Sequence, residues 1–305
     1  MKWKGRQRSS NIQDRRSAGG RRGGFGRMGG LGRSRGRGIP IPTGGRGGGM
    51  GLIGILVVVG IFLFINGINP LDMINGTGSG PTSSSSSSWT PPTNAGEDEL
   101  AEFVSVVVKD TEDLWNQVFE QNGSTYREPQ VVLFTGQTQS GCGVADARSG
   151  PFYCPNDQMV YIDLSFYDQL RQQFGAPGDF AQAYVIAHEV GHHVQNLTGV
   201  LPEFNRQRGR MSQEEQNAYS VRVELQADCY AGIWANYVQK QNLLEAGDVE
   251  EAITAANAIG DDTLTRGQTS PRNYTHGTSA QRMAWLRRGM ETGNVEACDT
   301  FSAAI

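Results

Sequence analysis

Histidine and cysteine are both scarce in this chain, which has four of each among 305 residues. The cysteines never occur in a CxxC spacing, and this argues against a zinc site built from cysteine thiolates. Acidic residues are almost absent from residues 1–46, where Asp14 is the only one, and no charged residue lies between Gly47 and Leu71. A surface helix over residues 47–71 is therefore excluded, because such a helix needs a polar face.

The first 46 residues contain thirteen lysines and arginines and many glycines. A segment of this composition cannot bury enough apolar surface to fold alone, so we predict a disordered, Arg/Gly-rich cytoplasmic tail over residues 1–46. We interpret its charge as a membrane-topology signal. Binding of anionic lipid is an alternative that stays open, and nucleic acid is the less favoured partner.

The apolar run from Gly51 to Ile68 is just long enough to cross a hydrocarbon core of about 30 Å. We predict a transmembrane helix over residues 50–69. A soluble core helix would need a polar face, and a cleaved signal peptide would need a shorter leader and a cleavage site of small residues. The positive charge before the span places the N-terminus in the cytoplasm, so this single-pass arrangement puts the rest of the chain in the periplasm or outside the cell.

Residues 70–96 are rich in serine, glycine and proline and are predicted to be a flexible linker. The folded domain is then expected over residues 97–305. It contains all four cysteines, Cys142, Cys154, Cys229 and Cys298. An even number in an oxidising compartment favours two disulfides, and of three connectivities we favour Cys142–Cys154 with Cys229–Cys298. Unpaired thiols are the alternative.

Residues 188 to 192 read HEVGH, an HExxH motif that uses two of the four histidines. On a helix His188 and His192 lie on one face and can bind one ion, with Glu189 beside them as a base. The surrounding residues 180–197 contain no proline and no charged residue except Glu189 and any protonated histidine, which predicts a buried helix. The pattern indicates zinc-activated hydrolysis, one Zn²⁺ per chain.

A catalytic zinc needs a third protein ligand, and Glu224 is the natural candidate. It lies in a helical stretch from about Gln213 to Val238, one turn before Asp228 on the same face. We expect Asp228 to accept a hydrogen bond from the other ring nitrogen of a ligand histidine. Two solvated acids on an amphipathic helix are the alternative.

An HExxH motif followed by ExxxD resembles the gluzincin class of zinc metallopeptidases. More closely, the chain resembles the bacterial membrane-anchored "putative neutral zinc metallopeptidase" family over about half its length. The matching stretches are residues 150–166, 187–195, 223–232, 247–262 and 275–289. This resemblance implies an α+β fold with a thermolysin-like zincin catalytic domain, mostly helical with a small sheet. It also implies zinc ligation by His188, His192 and Glu224, with Glu189 as general base.

Three further predictions concern the cleft. Residues 98–121 have the apolar periodicity of an amphipathic helix, and Gln130–Thr135 and Met159–Phe166 are predicted strands. Because zincins pair an edge strand with an extended peptide, Met159–Leu164 is the candidate for this role, with an interior strand as the alternative. His276, or Tyr274, is a candidate to stabilise the oxyanion.

The predicted function is hydrolysis of peptide bonds in a peptide or protein substrate by a membrane-anchored metallopeptidase, with metalloendopeptidase activity favoured. Glu189 would take a proton from a zinc-bound water and pass it to the leaving amine. Two other functions stay open: a zinc amidase acting on cell-wall peptides, and a catalytically silent, membrane-tethered scaffold.

Overall fold

The computed structural model of the chain describes residues 1–16, 94–147 and 150–305. The fold is α+β and mostly helical. The strands are β1 (Ile12–Asp14), β2 (Gln130–Phe134), β3 (Gln137–Ser140), β4 (Gly143–Asp146), β5 (Phe152–Cys154) and β6 (Met159–Asp163). The helices are α1 (Asn94–Gln121), α2 (Phe166–Gln172), α3 (Asp179–Leu197), α4 (Val200–Gln207), α5 (Gln213–Lys240), α6 (Asp248–Ala258), α7 (Asp261–Leu264) and α8 (Ser279–Thr292).

Four strands form a mixed sheet in the order β1-β2-β6-β5, and β3 pairs with β4 as a separate hairpin. The predicted strands at 130 and 159 are β2 and β6, which run parallel with Val131 opposite Val160. Both are almost continuous apolar runs, as strands buried on both faces require. The expectation that Met159–Leu164 is the edge strand was wrong, because β5 pairs antiparallel with β6 and takes the edge itself.

Helix α1 begins four residues before the predicted helix and ends at the predicted residue, Gln121. Its apolar face is buried in the main core through Phe103, Val104, Val107 and Trp115. The face packs against α3 and α5. Since burial of this stripe is what stabilises an amphipathic helix, the period of the sequence was enough to find it.

The two long helices α3 and α5 lie side by side, and α8 packs against α5. The backbones of α5 and α8 approach so closely that a Cβ on Gly232 would lie 2.2 Å from the carbonyl oxygen of Leu286. A Cβ on Gly289 would lie 2.0 Å from the carbonyl oxygen of Cys229. Because no side chain separates the two helices at these glycines, the start of α8 lies over the face of α5 that carries Glu224 and Asp228.

Residues 1–16, which we name the N-terminal segment, lie against the folded domain, and this corrects the prediction of disorder for this part of the tail. Strand β1 runs parallel to β2, with Ile12 opposite Val131. Met1 and Trp3 are buried in the main core, and Trp3 makes an edge-to-face contact with Phe103. The composition argument failed here because the segment joins an existing core instead of building its own. The remainder of the predicted tail, residues 17–46, lies outside the described residues.

Both predicted disulfides are present, Cys142–Cys154 and Cys229–Cys298. The first joins the β3–β4 hairpin to β5. The second joins α5, the helix of Glu224, to the C-terminal residues. The predicted transmembrane helix 50–69 and the linker up to residue 93 lie outside the described residues. Within residues 1–16, 94–147 and 150–305, no helix is long and apolar enough to cross a membrane.

Candidate metal centre

The HExxH motif lies in the middle of α3, as its periodicity predicted. Every residue of this helix from Ala183 to Gln195 is buried. His188, Glu189 and His192 are between 6 and 8 % exposed, so their polar atoms depend on partners inside the protein. A run of small and β-branched apolar residues supplies the helix packing that holds these three side chains inward.

Glu224 on α5 faces the two histidines across the gap between the helices. Its carboxylate oxygens lie 3.2 Å from Nε2 of His188 and 3.4 Å from Nε2 of His192. Zinc bonds of about 2.0–2.1 Å at tetrahedral angles separate neighbouring ligand atoms by about 3.4 Å. The three donor groups therefore fit one zinc ion and form a possible metal site.

Each histidine has an outer partner that orients its ring. Nδ1 of His188 donates to Asp228 at 2.8 Å, as predicted, and Nδ1 of His192 donates to the Gln195 side-chain oxygen at 2.8 Å. The Gln195 amide is itself held, because its nitrogen donates to the carbonyl of Val223 at 2.7 Å. Protons on both Nδ1 atoms leave the Nε2 lone pairs free toward Glu224, which is the tautomer that metal ligation needs.

The pKa shifts of His188 and Glu224 show that this cluster favours a bound positive charge. Burial alone would lower the pKa of His188, but the charge and hydrogen bond of Asp228, together with Glu224, raise the pKa to about 10. Burial alone would raise the pKa of Glu224, but the neighbouring histidines lower it. Without a metal, a proton is thus retained at the centre of the site, and metal binding would release it.

Glu189 lines a cavity of about 70 Å³ beside the three donor groups. The residues lining this cavity are Pro151, Phe166, Phe174, Tyr184, Val185, His188, Glu189, Glu224, Ile259, His276 and Arg282. Burial raises the pKa of Glu189 to about 8, although the charge of His188 acts in the opposite direction. A carboxyl group with a pKa near neutrality can both accept and return a proton at physiological pH.

His276 lines the same cavity, whereas Tyr274 does not. Nδ1 of His276 bonds to Asp261 at 3.0 Å, and Asp261 also accepts the backbone N–H groups of Thr275, His276 and Gly277. Nε2 of His276 is buried and has no partner. Burial alone would lower the pKa of His276, but the hydrogen bond to Asp261 and the charge of Glu224 raise it. The unpartnered Nε2 of His276 is thus available to a group in the cavity.

The fourth histidine, His193, is not part of the donor cluster. It points to the other side of α3, where Nε2 donates to the carbonyl of Arg127 at 2.6 Å and Nδ1 accepts from the Tyr153 hydroxyl at 3.1 Å. Burial lowers the pKa of His193 to about 4, so the ring is neutral. Its role is to join α3 to the edge strand β5, in agreement with the 100° turn between adjacent helix residues.

Sequence reasoning missed four polar residues around the site: Tyr184, Gln195, Asp261 and Arg282. Arg282 is 2 % exposed and lies three residues after Ser279 and three before Trp285, on the buried face of α8. An arginine on the apolar stripe of an amphipathic helix is a signal that could have found it. Asp261 had no such signal, because its partners are distant in the chain.

Known families and proteins resemble this chain over much of its length. The family model described as "Putative neutral zinc metallopeptidase" matches residues 1–301. The YpfJ protein of Escherichia coli (strain K12) is 45 % identical over 308 residues, which is 100 % of both chains. The Rv2575 protein of Mycobacterium tuberculosis (strain H37Rv) is 47 % identical over 195 residues, which is 59 % of this chain and 64 % of the relative. No solved structure matches the chain. The extent of the family match, together with its bacterial relatives, shows that the chain belongs to the "putative neutral zinc metallopeptidase" family.

Proposed function

We propose that the chain is a zinc-dependent metalloendopeptidase with a single catalytic site between α3 and α5. The observation that carries the proposal is the convergence of His188, His192 and Glu224, with the buried Glu189 directly beside them in a cavity. Two neutral nitrogens and one carboxylate favour zinc over harder divalent ions. A thermolysin-like arrangement of the domain is part of this proposal.

In the proposed site, Nε2 of His188, Nε2 of His192 and the Glu224 carboxylate hold the metal. Bound zinc supplies a water of lowered pKa and polarises the carbonyl of the scissile bond. Asp228 and Gln195 keep the two imidazoles in the correct tautomer and orientation through the Nδ1 hydrogen bonds.

Glu189 is the proposed general base and, later, the general acid. Its carboxylate takes a proton as water attacks the peptide carbonyl and then gives this proton to the leaving amine. The backbone N–H of Tyr153 donates to Glu189 and so orients the carboxyl group against β5. A fixed carboxyl group in a water-poor cavity needs little reorganisation during proton transfer.

His276 is the proposed stabiliser of the oxyanion. Its Nε2 faces the cavity without a partner, and Asp261 supports the charge on the ring. A donor that is already oriented by a second residue stabilises the developing negative charge without further ordering.

The substrate is proposed to be an extended peptide with an apolar side chain close to the scissile bond. Strand β5 is the edge of the sheet and contacts α3, so its free edge can pair with a peptide backbone. The cavity wall beyond Glu189 is apolar, formed by Phe166, Phe174, Val185 and Ile259. Burial of an apolar side chain against this wall would favour the bound state by about 25 cal/mol per Å².

The catalytic domain is proposed to lie outside the cytoplasm. The two disulfides support this, since such bonds persist in oxidising compartments. The predicted transmembrane helix 50–69 lies outside the described residues. A single crossing by that helix would separate the N-terminal segment from the domain against which it packs, so a single crossing is not part of this proposal.

The experiment uses the full chain, because the N-terminal segment covers part of the core. Metal content and cleavage of a mixed peptide library, read by mass spectrometry, are measured for the parent, Glu224→Ala and Glu189→Gln. We expect one zinc per chain and peptide cleavage in the parent, loss of zinc in Glu224→Ala, and retained zinc without cleavage in Glu189→Gln.

Glu214→Gln is the matched control, since Glu214 is an exposed acid on the same helix as Glu224 and should leave both zinc and cleavage unchanged. A folded parent that takes up no zinc when zinc is supplied would overturn the proposal. Zinc binding without cleavage of any peptide in the library would overturn the peptidase activity and leave only the metal site.

A further inference from the structure

A second cluster of carboxylates lies where α3 and α6 begin. We call the set Asp179, Glu245, Asp248 and Glu251 the acidic cluster. Ligand atoms of Asp179, Asp248 and Glu251 lie within 4.8 Å of one another, close enough to surround a single cation. Such carboxylates repel one another, so a positive partner is needed to hold them together.

The positive partner in this structure is the α-amino group of Met1. It lies 2.7 Å from Oδ1 of Asp179, 3.2 Å from Oε2 of Glu245 and 3.3 Å from Oδ1 of Asp248. Met1 as a whole is only 4 % exposed. The α-amino group of Met1 therefore lies among the carboxylates of the acidic cluster.

Two members of the acidic cluster also accept hydrogen bonds from backbone N–H groups, but these bonds do not explain the contact with the Met1 amino group. Glu251 accepts the backbone N–H of Phe180 at the first turn of α3, and Asp248 accepts the backbone N–H of Glu245. Helix N-termini attract negative charge and disfavour a cation. An ammonium group beside two helix starts is thus stable only because the carboxylates reverse the local potential.

Further contacts hold the rest of the N-terminal segment against the domain. The backbone N–H of Lys2 donates to the carbonyl of Leu243, and that of Ser9 donates to the carbonyl of Ser105. Arg6 forms two hydrogen bonds of 2.6 Å with the buried Asp110, a bidentate pair. The contact of Met1 is therefore one of several that hold the N-terminal segment against the domain.

We propose that the acidic cluster is a binding site for a free α-amino group, and that the N-terminal segment docks fully only when Met1 is retained and its amine is unmodified. A formyl or acetyl group, or any residue before Met1, converts the amine into a neutral amide. Such an amide carries no positive charge and cannot balance the carboxylates.

Raised proton affinity of the amine agrees with this geometry. Burial alone would lower the pKa of the α-amino group, but the hydrogen bond and charge of Asp179, with Asp248 and Glu245, raise it above its ordinary value of 8.0. The group is thus an ammonium ion at neutral pH.

The test compares two forms of the full chain, released from a cleavable leader so that one begins at Met1 and the other carries Gly-Ser before it. Amide hydrogen exchange is followed over residues 1–16, together with tryptic cleavage after Lys2, Lys4 and Arg6. We expect protected amides and slow cleavage in the native form, and at least tenfold faster exchange at Lys2 with rapid cleavage in the extended form. Zinc content should be equal in both, since His188 lies nine residues, about 14 Å, beyond the anchor along α3.

Asp179→Asn is a second test of the proposal, because it weakens the contact without changing Met1. Glu250→Gln is its matched control. Both remove one negative charge, but Glu250 is exposed and makes no contact with the amine. Only Asp179→Asn should loosen the N-terminal segment. Acylation by a small amine reagent at pH 7 should also be slower at Met1 in the folded protein than in the unfolded one. Equal exchange and cleavage in the native and extended forms, or equal acylation of Met1 in folded and unfolded protein, would overturn the proposal.

Discussion

Arg282 on α8 forms two hydrogen bonds with Asp228 on α5. Nε donates to Oδ2 at 2.9 Å, and Nη2 donates to Oδ1 at 2.9 Å. The same Asp228 oxygen accepts from Nδ1 of His188 and from the hydroxyl of Tyr184. Arg282 and Asp228 are both almost fully buried. The carboxylate that orients a proposed zinc ligand is therefore balanced by an arginine from a distant part of the chain.

This pair makes Arg282 a positioning residue whose loss is costly. Replacement of Arg282 by methionine should lower the free energy of unfolding by about 3–5 kcal/mol, because a buried carboxylate loses its partner. Arg282→Lys should be an intermediate case, since an ammonium group cannot form the two parallel bonds. Chemical denaturation of the metal-free proteins measures this, and an unchanged Arg282→Met protein would contradict the prediction.

His276 should affect turnover without affecting the metal. Its Nε2 is the unpartnered donor in the cavity, so His276→Ala should lower kcat/KM by about 10²–10³. Zinc content should stay at the parent value because His276 is not among the donor groups. Peptide cleavage kinetics and metal analysis on the same sample check this. Loss of zinc in His276→Ala would assign it a structural role instead.

Stability should depend on pH through the chain start. The pKa of the Met1 amine is raised in the folded protein above 8.0, so its contribution is fully present below about pH 8 and is lost as the pH rises through the folded value. The native chain should therefore be more stable than the Gly-Ser-extended chain at pH 7, and this difference should shrink toward pH 10. Thermal unfolding of both forms across this range measures it. Asp179, Glu245 and Asp248 face the amine, and a stability difference that stays constant over this pH range would count against the prediction.

The N-terminal segment and the folded domain should lie in the same compartment. Lys4 is exposed near the chain start and Ser124 is exposed on the domain, so Lys4→Cys and Ser124→Cys are suitable reporters. In bacterial spheroplasts, a membrane-impermeant maleimide should label both cysteines or neither. Labelling of one and protection of the other would show that residues 1–16 are separated from the domain in the cell. The parent, whose four cysteines are paired, is the unlabelled control.

The elements that were predicted correctly are those that a short stretch of sequence specifies. The helix around HExxH was found from the absence of charge and proline over residues 180–197, because a buried helix needs both absences. Strands β2 and β6 were found as apolar runs of β-branched residues. The order of the strands in the sheet was not predicted, since a short apolar run has the same sequence pattern in an edge strand and in an interior strand. The edge position of β5 depends on which strand pairs with β6.

The sequence by itself determined the chemistry of the proposed centre: two histidines and a glutamate on one turn of helix, then a glutamate and an aspartate on one turn of another. Their spacing is set within a single helical turn, so no tertiary information is needed to place them on one face. Only the tertiary structure decided which distant groups complete it. Arg282 reaches Asp228 because glycines let α8 approach α5, and Asp261 supports His276 from fifteen residues away. The docking of Met1 likewise depends on carboxylates more than 170 positions along the chain, a pairing that no local pattern of charge contains.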